Sequence, residues 1–322
     1  MGQKLLEIRN LSKAFGSKKK QVIAVSHASI SISGVPASTL AIVGESGSGK
    51  STLANMVLGF TKPTDGEILY CGKDISKLSR EEYSNYRQEV QAVFQNPFDA
   101  YNPFYPVDHV FDQVFAHFNL PKDKKEQHRL VEEKLRLVKL NPDQVLGKYA
   151  YQMSGGQLQR LMIARALLLH PKLLVADEPV SMIDASLRVT VLEVMVKLKK
   201  EMGISQLYIT HDLSTALQIS DDIIVMYKGH IVESGKAEKV IMDPAHPYTQ
   251  LLINCIPIAS PSEKWTERLA IEEDFDLYAY PNACCFADRC PYREEKCLNA
   301  HPEDVMIEEN HCAACYRCRK EV

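Results

Sequence analysis

The stretch GESGSGKST, residues 44–52, constrains this chain more than any other. It fits G-x-x-x-x-G-K-[ST], follows the apolar run STLAIV (38–43) and precedes the helix-like STLANMVLGF (51–60). Gly44, Gly47 and Gly49 let the backbone turn tightly, so that the N–H groups of the loop, those of Glu45, Ser46 and Ser48 among them, converge on phosphate oxygens. The helix behind adds the positive end of its dipole. Lys50 can reach β- and γ-phosphates, the Ser51 hydroxyl can ligate Mg²⁺, and Thr52 closes the loop. A strand–loop–helix unit that binds a nucleoside triphosphate is the expectation.

The surrounding pattern sets that unit in an α/β domain. LEIRNL near the start and IAVSHASISIS (23–33) alternate as strands do, and GEILYCGKDI (66–75) returns to strand character. From Lys122 to Leu140, Leu130, Leu135 and Val138 share one helical face. KLLVADEP (172–179) reads as a buried strand with a stop, and residues 185–203 as an amphipathic helix with Asp184 as N-cap and Gly203 as its end. QLYIT, DDIIVMYKG and HIVESG are further strand candidates. Strands alternating with helices imply parallel pairing. The composition changes near residue 256, so the expected order is a main domain over 1–255, a connector over 256–282 and a small cysteine-rich module over 283–322.

Composition narrows the class. Net charge is −3 with 25% charged and 45% hydrophobic residues, so no overall basic field argues for a nucleic-acid partner. No apolar run approaches the ~18 residues a membrane helix needs. The opening MGQKLLEIRN is charged where a secretory signal is apolar, and Leu6 stands where a myristoylation motif wants Ser or Thr; an unexported chain with reduced thiols is expected.

Three further clusters bear on chemistry. Asp177-Glu178 ends a buried strand, where one carboxylate can hold the Mg²⁺ shell and the other orient or deprotonate water. His211 follows another apolar strand, within reach of a γ-phosphate. SGGQ, Ser154 to Gln157 with Gly155 and Gly156 between, opens a helix-like run and makes a second anion site. Alone, each has a plainer reading: an acidic turn, a structural histidine, a capped helix with a glycine hinge.

Together these motifs resemble the ATP-binding subunit of an ABC transporter over about 230 residues. The order is Walker A at 44–52, Gln95 of a Q-loop, the SGGQ signature at 154–157, Walker B at Asp177-Glu178, a D-loop at Ser181 to Asp184 and a switch histidine, His211. The resemblance implies a P-loop NTPase fold with a helical subdomain at about 96–170, and ATP with Mg²⁺ as ligands, Ser51 and Gln95 serving the metal. It implies Glu178 as general base, His211 as γ-phosphate sensor, Gln95 as link to membrane subunits and Phe15 as the aromatic under adenine. Two such domains would pair head to tail, a paralogue being the expected partner, with each signature serving the other's ATP. VFQNPFDAYNP (93–103) and AHPYTQLL (245–252) resemble segments of oligopeptide and dipeptide importer ATPases, although Asn96 replaces the usual Asp and Ala100-Tyr101 the usual Ser-Leu. The resemblance thus implies a peripheral ATPase on the cytoplasmic membrane face, with two permease subunits and an extracytoplasmic binding protein. Relatives in that group also import nickel chelates and oligosaccharides. A soluble, non-transport ABC ATPase is the rival class.

Seven of the nine cysteines lie between residues 284 and 318. The residues alone allow spare thiols, a Cys₄ zinc site or an iron–sulfur cluster. The C-terminal extension of the oligopeptide group is similar, with Arg289-Cys290-Pro291 and His311 to Tyr316 as matching landmarks. That resemblance implies a 4Fe-4S cluster on Cys285, Cys290, Cys297 and Cys315, with Cys284, Cys312 and Cys318 surplus.

Overall fold

A computed structural model describes residues 3–17, 20–255, 280 and 282–318; most of the expected connector lies outside the described residues. β1 (Gln3–Ser17) and β2 (Lys20–Val35) pair antiparallel. β3 (Thr39–Val43) enters a second sheet, and the chain returns in β4 (Asp65–Tyr70) and β5 (Lys73–Asp74) to complete a four-stranded sheet of order β2-β1-β4-β5. The larger sheet continues through β6 (Val90–Val93), β7 (Leu173–Asp177), β8 (Ser205–Thr210) and β9 (Asp222–Tyr227). It is extended by β10 (His230–Lys236), β11 (Val305–Glu308) and β12 (His311–Ala313), in the order β11-β12-β10-β9-β3-β8-β7-β6. Strands β3 and β6 to β9 pair parallel, whereas β10, β11 and β12 are antiparallel additions.

The apolar runs read from the sequence are continuous because both faces of the parallel sheet are covered. Successive side chains feed opposite cores. Leu40, Ile42, Leu173, Val175, Leu207, Ile209, Ile224 and Met226 pack toward the four-stranded sheet. Their neighbours Ala41, Val43, Leu174, Ala176, Tyr208, Ile223, Val225 and Tyr227 pack into the other core. Helix α1 (Lys50–Val57) buries Leu53, Ala54, Met56 and Val57 within the first of these.

Helix α2 (Arg80–Glu89) starts at a capping box in which Ser79 accepts from the Glu82 N–H and Glu82 accepts from that of Ser79. The S-x-x-E signal for this helix start is present in the sequence as SREE, residues 79–82. Four helices then form a lateral layer: α3 (His109–His117), α4 (Lys124–Leu137), α5 (Pro142–Val145) and α6 (Gly155–Leu167). Helix α4 occupies the predicted amphipathic stretch and is capped by Asp123. Helix α7 (Ala185–Met202) has Asp184 at its N-cap position without a side-chain cap bond, and Gly203 ends it at φ 67°.

The cysteine-bearing tail is built into the main core. Cys284, Cys285, Phe286 and Ala287 are buried there, and Phe286 packs on Tyr227 and Tyr248. Strand β12 pairs with β10 through Glu233, Ser234 and Gly235. The fully buried Glu233 carboxylate binds His311 Nε2 at 2.7 Å and accepts the N–H groups of Ala245 and His246, at 2.9 Å each. Every oxygen of this buried charge is therefore partnered. Removing one member of such a buried pair costs about 3–5 kcal/mol. Glu233→Ala should lower the denaturation midpoint by a corresponding amount and make residues 305–318 the first to be cut in limited proteolysis.

Candidate nucleotide-binding site

The loop at 44–52 joins β3 to α1 and lines a cavity of about 650 Å³ together with Ala24, Gln95, Glu178, His211 and Leu252. Two of its glycines are obligatory. A Cβ on Gly44 (φ 150°) would lie 2.1 Å from the Met226 carbonyl oxygen, and one on Gly49 (φ 102°) would lie 2.1 Å from that of Ala24. Gly49 is the N-cap of α1 and no side chain caps that end, so the helix N–H groups face the loop. Lys50, only 5% exposed, donates to the Gly44 and Glu45 carbonyls at 2.8 and 2.7 Å and to Ser48 Oγ at 3.2 Å. Burial lowers its pKa, opposed by the carboxylates of Glu178, Asp177 and Glu45. A cation so dehydrated gains strongly from phosphate oxygens.

Glu178 stands where the sheet delivers two other groups. It follows β7 with φ 44°, and its N–H donates to the Ile209 carbonyl of β8. Gln95 Nε2 donates to Glu178 Oε2 at 2.8 Å, and His211 Nδ1 lies 3.0 Å from Glu178 Oε1. Two residues distant in sequence thus meet on the Glu178 carboxylate. Asp177 is set deeper: burial raises its pKa, and a hydrogen bond from the Ser51 hydroxyl opposes that shift. Asp177 Oδ1 is buried without a hydrogen-bond partner. An orphaned carboxylate oxygen beside the P-loop serine suits a hard divalent cation, so these two residues fit Mg²⁺.

The SGGQ segment does not line this cavity. Ser154 caps α6, accepting from the Gln157 N–H at 3.2 Å, while Gln157 Oε1 accepts from the Ser154 N–H at 3.0 Å. Gly155 and Gly156 lie against the segment at 182–187: a Cβ would meet the Met182 oxygen and a Leu187 methyl, each at 3.1 Å. Phe15 is also outside the cavity lining, 46% exposed on β1 with the Lys13 ammonium 4.9 Å from its ring centre.

Four tail thiols, Cys284, Cys290, Cys297 and Cys315, line one small pocket walled by Pro247, Phe286, Ala287 and Pro302. Cys284 is in that lining, whereas Cys285, the cysteine expected there, is not. The two are adjacent in a turn in which the Cys284 N–H donates to the Cys297 carbonyl at 2.7 Å. A hydrogen bond from the Cys285 thiol pulls the Cys284 pKa down, and Cys318 acts likewise on Cys315. Cys284, Cys285 and His301 also bring ligand atoms within 4.8 Å of one another.

Residues 28–181 match the ABC transporter family, and residues 232–297 match the family described as oligopeptide/dipeptide transporter, C-terminal region. The oligopeptide transport ATP-binding protein AppF of Bacillus subtilis is 37% identical, with 97% of each chain covered. OppF of Salmonella typhimurium, another oligopeptide transport ATP-binding protein, is 36% identical over 82% of this chain and 79% of its own. The chain belongs to the ATP-binding subunits of oligopeptide/dipeptide ABC transporters. Solved ABC cassettes share the fold: dimeric MJ0796 in a post-hydrolysis state with ADP and phosphate (TM-score 0.64, 26% identical) covers 72% of this chain and 98% of its own. The cbiO1 cassette of Clostridium perfringens has the same TM-score and identity, over 75% and 92%.

Within this ABC subunit the reading from sequence misses Tyr248, whose hydroxyl accepts the Glu45 N–H at 2.9 Å, and Arg289, which pairs with the Glu45 side chain. The HPYT segment flagged the first by resemblance alone; no local signal marks a bond spanning 244 residues. Asp177→Asn would keep an acceptor for Ser51 but remove the charge. It should weaken ATP binding in Mg²⁺ about tenfold, with the loss shrinking in EDTA, as titration calorimetry would show.

Proposed function

We propose that this chain hydrolyses ATP as the energising subunit of an importer for oligopeptides, on the cytoplasmic face of a membrane. The observation that carries it is the Glu178 carboxylate, held by Gln95 and His211 over a P-loop with a buried lysine. ATP seats its phosphates against the loop amides of residues 44–52 and Lys50. Ser51 and Gln95 would hold Mg²⁺, with Asp177 beside them to serve its water shell, and the ion would neutralise phosphate charge when bound. Glu178 takes a proton from the attacking water, and His211, bonded to it, senses the γ-phosphate.

The signature at Ser154 to Gln157 does not line this chain's own cavity and serves the ATP of a second, head-to-tail ATPase subunit. ATP then favours the closed pair through contacts that exist only in that state. A groove of about 500 Å³, lined by Phe94, Tyr101, Val110, Val114 and Phe118, lies beside Gln95 and takes a permease segment. Docking there is coupled to Glu178 through the Gln95 amide. Two permease subunits supply the path and an extracytoplasmic binding protein the cargo; among the described residues of this chain no helix is long and apolar enough to cross a membrane. Oligosaccharides or metal chelates are the alternative cargo.

The thiol pocket holds a metal centre. Four buried or half-buried soft donors suit a 4Fe-4S cluster, with zinc the alternative, and Cys284, Cys290, Cys297 and Cys315 would hold it. Its role is to stiffen the tail.

Glu178→Gln keeps the shape and the hydrogen bonds but removes the base. It should reduce ATP turnover at least about 100-fold and trap an ATP-bound closed pair on size exclusion; turnover at the normal rate would refute the assignment. Iron, zinc and acid-labile sulfide, measured on protein purified without oxygen, should give about four irons with matching sulfide. One zinc without sulfide selects the alternative.

A further inference from the structure

The tail touches the phosphate loop directly. Arg289 Nη1 donates to both carboxylate oxygens of Glu45, at 3.1 and 2.9 Å, although the pair is separated by 244 residues. Its guanidinium lies 5.8 Å from the Tyr227 ring centre and 5.9 Å from that of Phe286, within cation–π reach of both rings. Beside it Lys228 binds Asp288 at 2.6 Å, a second ion pair between the tail and β9's end. Tyr248, fully buried against the same rings, accepts the Glu45 backbone N–H. Glu45 is thus gripped at main chain and side chain by residues that follow the nucleotide fold in sequence.

Glu45 needs such a grip. It lines the nucleotide cavity and puts a negative charge where phosphates must come. Lys50 bonds the Glu45 carbonyl oxygen and not its carboxylate, which Arg289 engages instead. Released, that carboxylate would repel phosphate or capture the Lys50 ammonium, and either outcome opposes ATP.

We infer that Arg289 is a positioning residue for ATP: it neutralises Glu45 and holds it off Lys50, making nucleotide affinity depend on the docked tail. This inference rests on the ATPase reading above and adds to it a residue outside the cassette motifs. Binding, more than the chemical step, depends on the contact, because Arg289 neutralises Glu45 before and after phosphate transfer alike.

The test is a double-mutant cycle on the full chain assembled with its transporter partners, using a fluorescent ATP analogue for Kd and steady-state hydrolysis for KM and kcat. Arg289→Ala should raise Kd and KM about three- to tenfold, with kcat changed less than KM. The same substitution added to Glu45→Gln should shift Kd less than about twofold relative to Glu45→Gln alone, because no carboxylate remains to be held. Arg289→Lys should recover part of the affinity. Arg289→Ala binding ATP as tightly as the unsubstituted chain overturns the inference. So does an equal loss in the Glu45→Gln background, which marks a packing defect of the tail. An unsubstituted complex that neither binds nor hydrolyses ATP would instead overturn the ATPase reading, so the two failures are distinguishable.

Discussion

Every reactive group of this site hangs from the carboxyl ends of adjacent parallel strands. The phosphate loop leaves β3, Asp177-Glu178 ends β7, and His211 follows β8, which lies between them. The spacing of neighbouring strands, ~4.8 Å, therefore sets the distances among loop, carboxylate and imidazole. The alternation that sends Ile42, Val175 and Ile209 to one core and Val43, Ala176 and Tyr208 to the other is what keeps those strands in register. A one-residue slip would turn every buried side chain to the wrong face and move the chemistry with it.

The helical layer is tied to that sheet through the segment that follows β6. Gln95 sits where the chain leaves β6 for that layer, its side chain on Glu178 and its neighbours in the apolar groove. Gln159 Nε2 of α6 binds the Phe94 carbonyl at 3.0 Å, so the helix that begins with the signature also holds the Q-loop. The Glu178 carboxylate, the groove and the helix that begins with SGGQ are thereby joined through two glutamines.

Much of this was legible in the sequence because it is local. The loop at 44–52, the buried strands and helix α4 each carry their own pattern of spacing, caps or periodicity. What stayed hidden depends on side-chain direction or distant pairing. Nothing in ACC reveals which cysteine of an adjacent pair faces a pocket; the turn decides that, through the Cys284 N–H bond to Cys297. The Glu45–Arg289 pair and the Glu233–His311 pair join residues far apart in sequence, and Phe15 offered an exposed ring with no signal of where it points. The appended cysteine segment read as a separate module because its composition changes, whereas its strand β12 and Phe286 belong to the sheet and core of the main domain.

That last feature bears on how the protein is made. Strand β10 is paired on one side by β9, and its other side is covered by His311–Ala313. While the chain emerges from the ribosome, β10 is translated some 75 residues before its cover (236 to 311). For that interval the sheet presents an open edge of unpaired amides, the kind that recruits other strands. At ordinary translation rates of about 5–20 residues per second the exposure lasts several seconds. Closure of that edge therefore waits for residues 311–313, which follow the phosphate loop, Glu178 and His211 in translation.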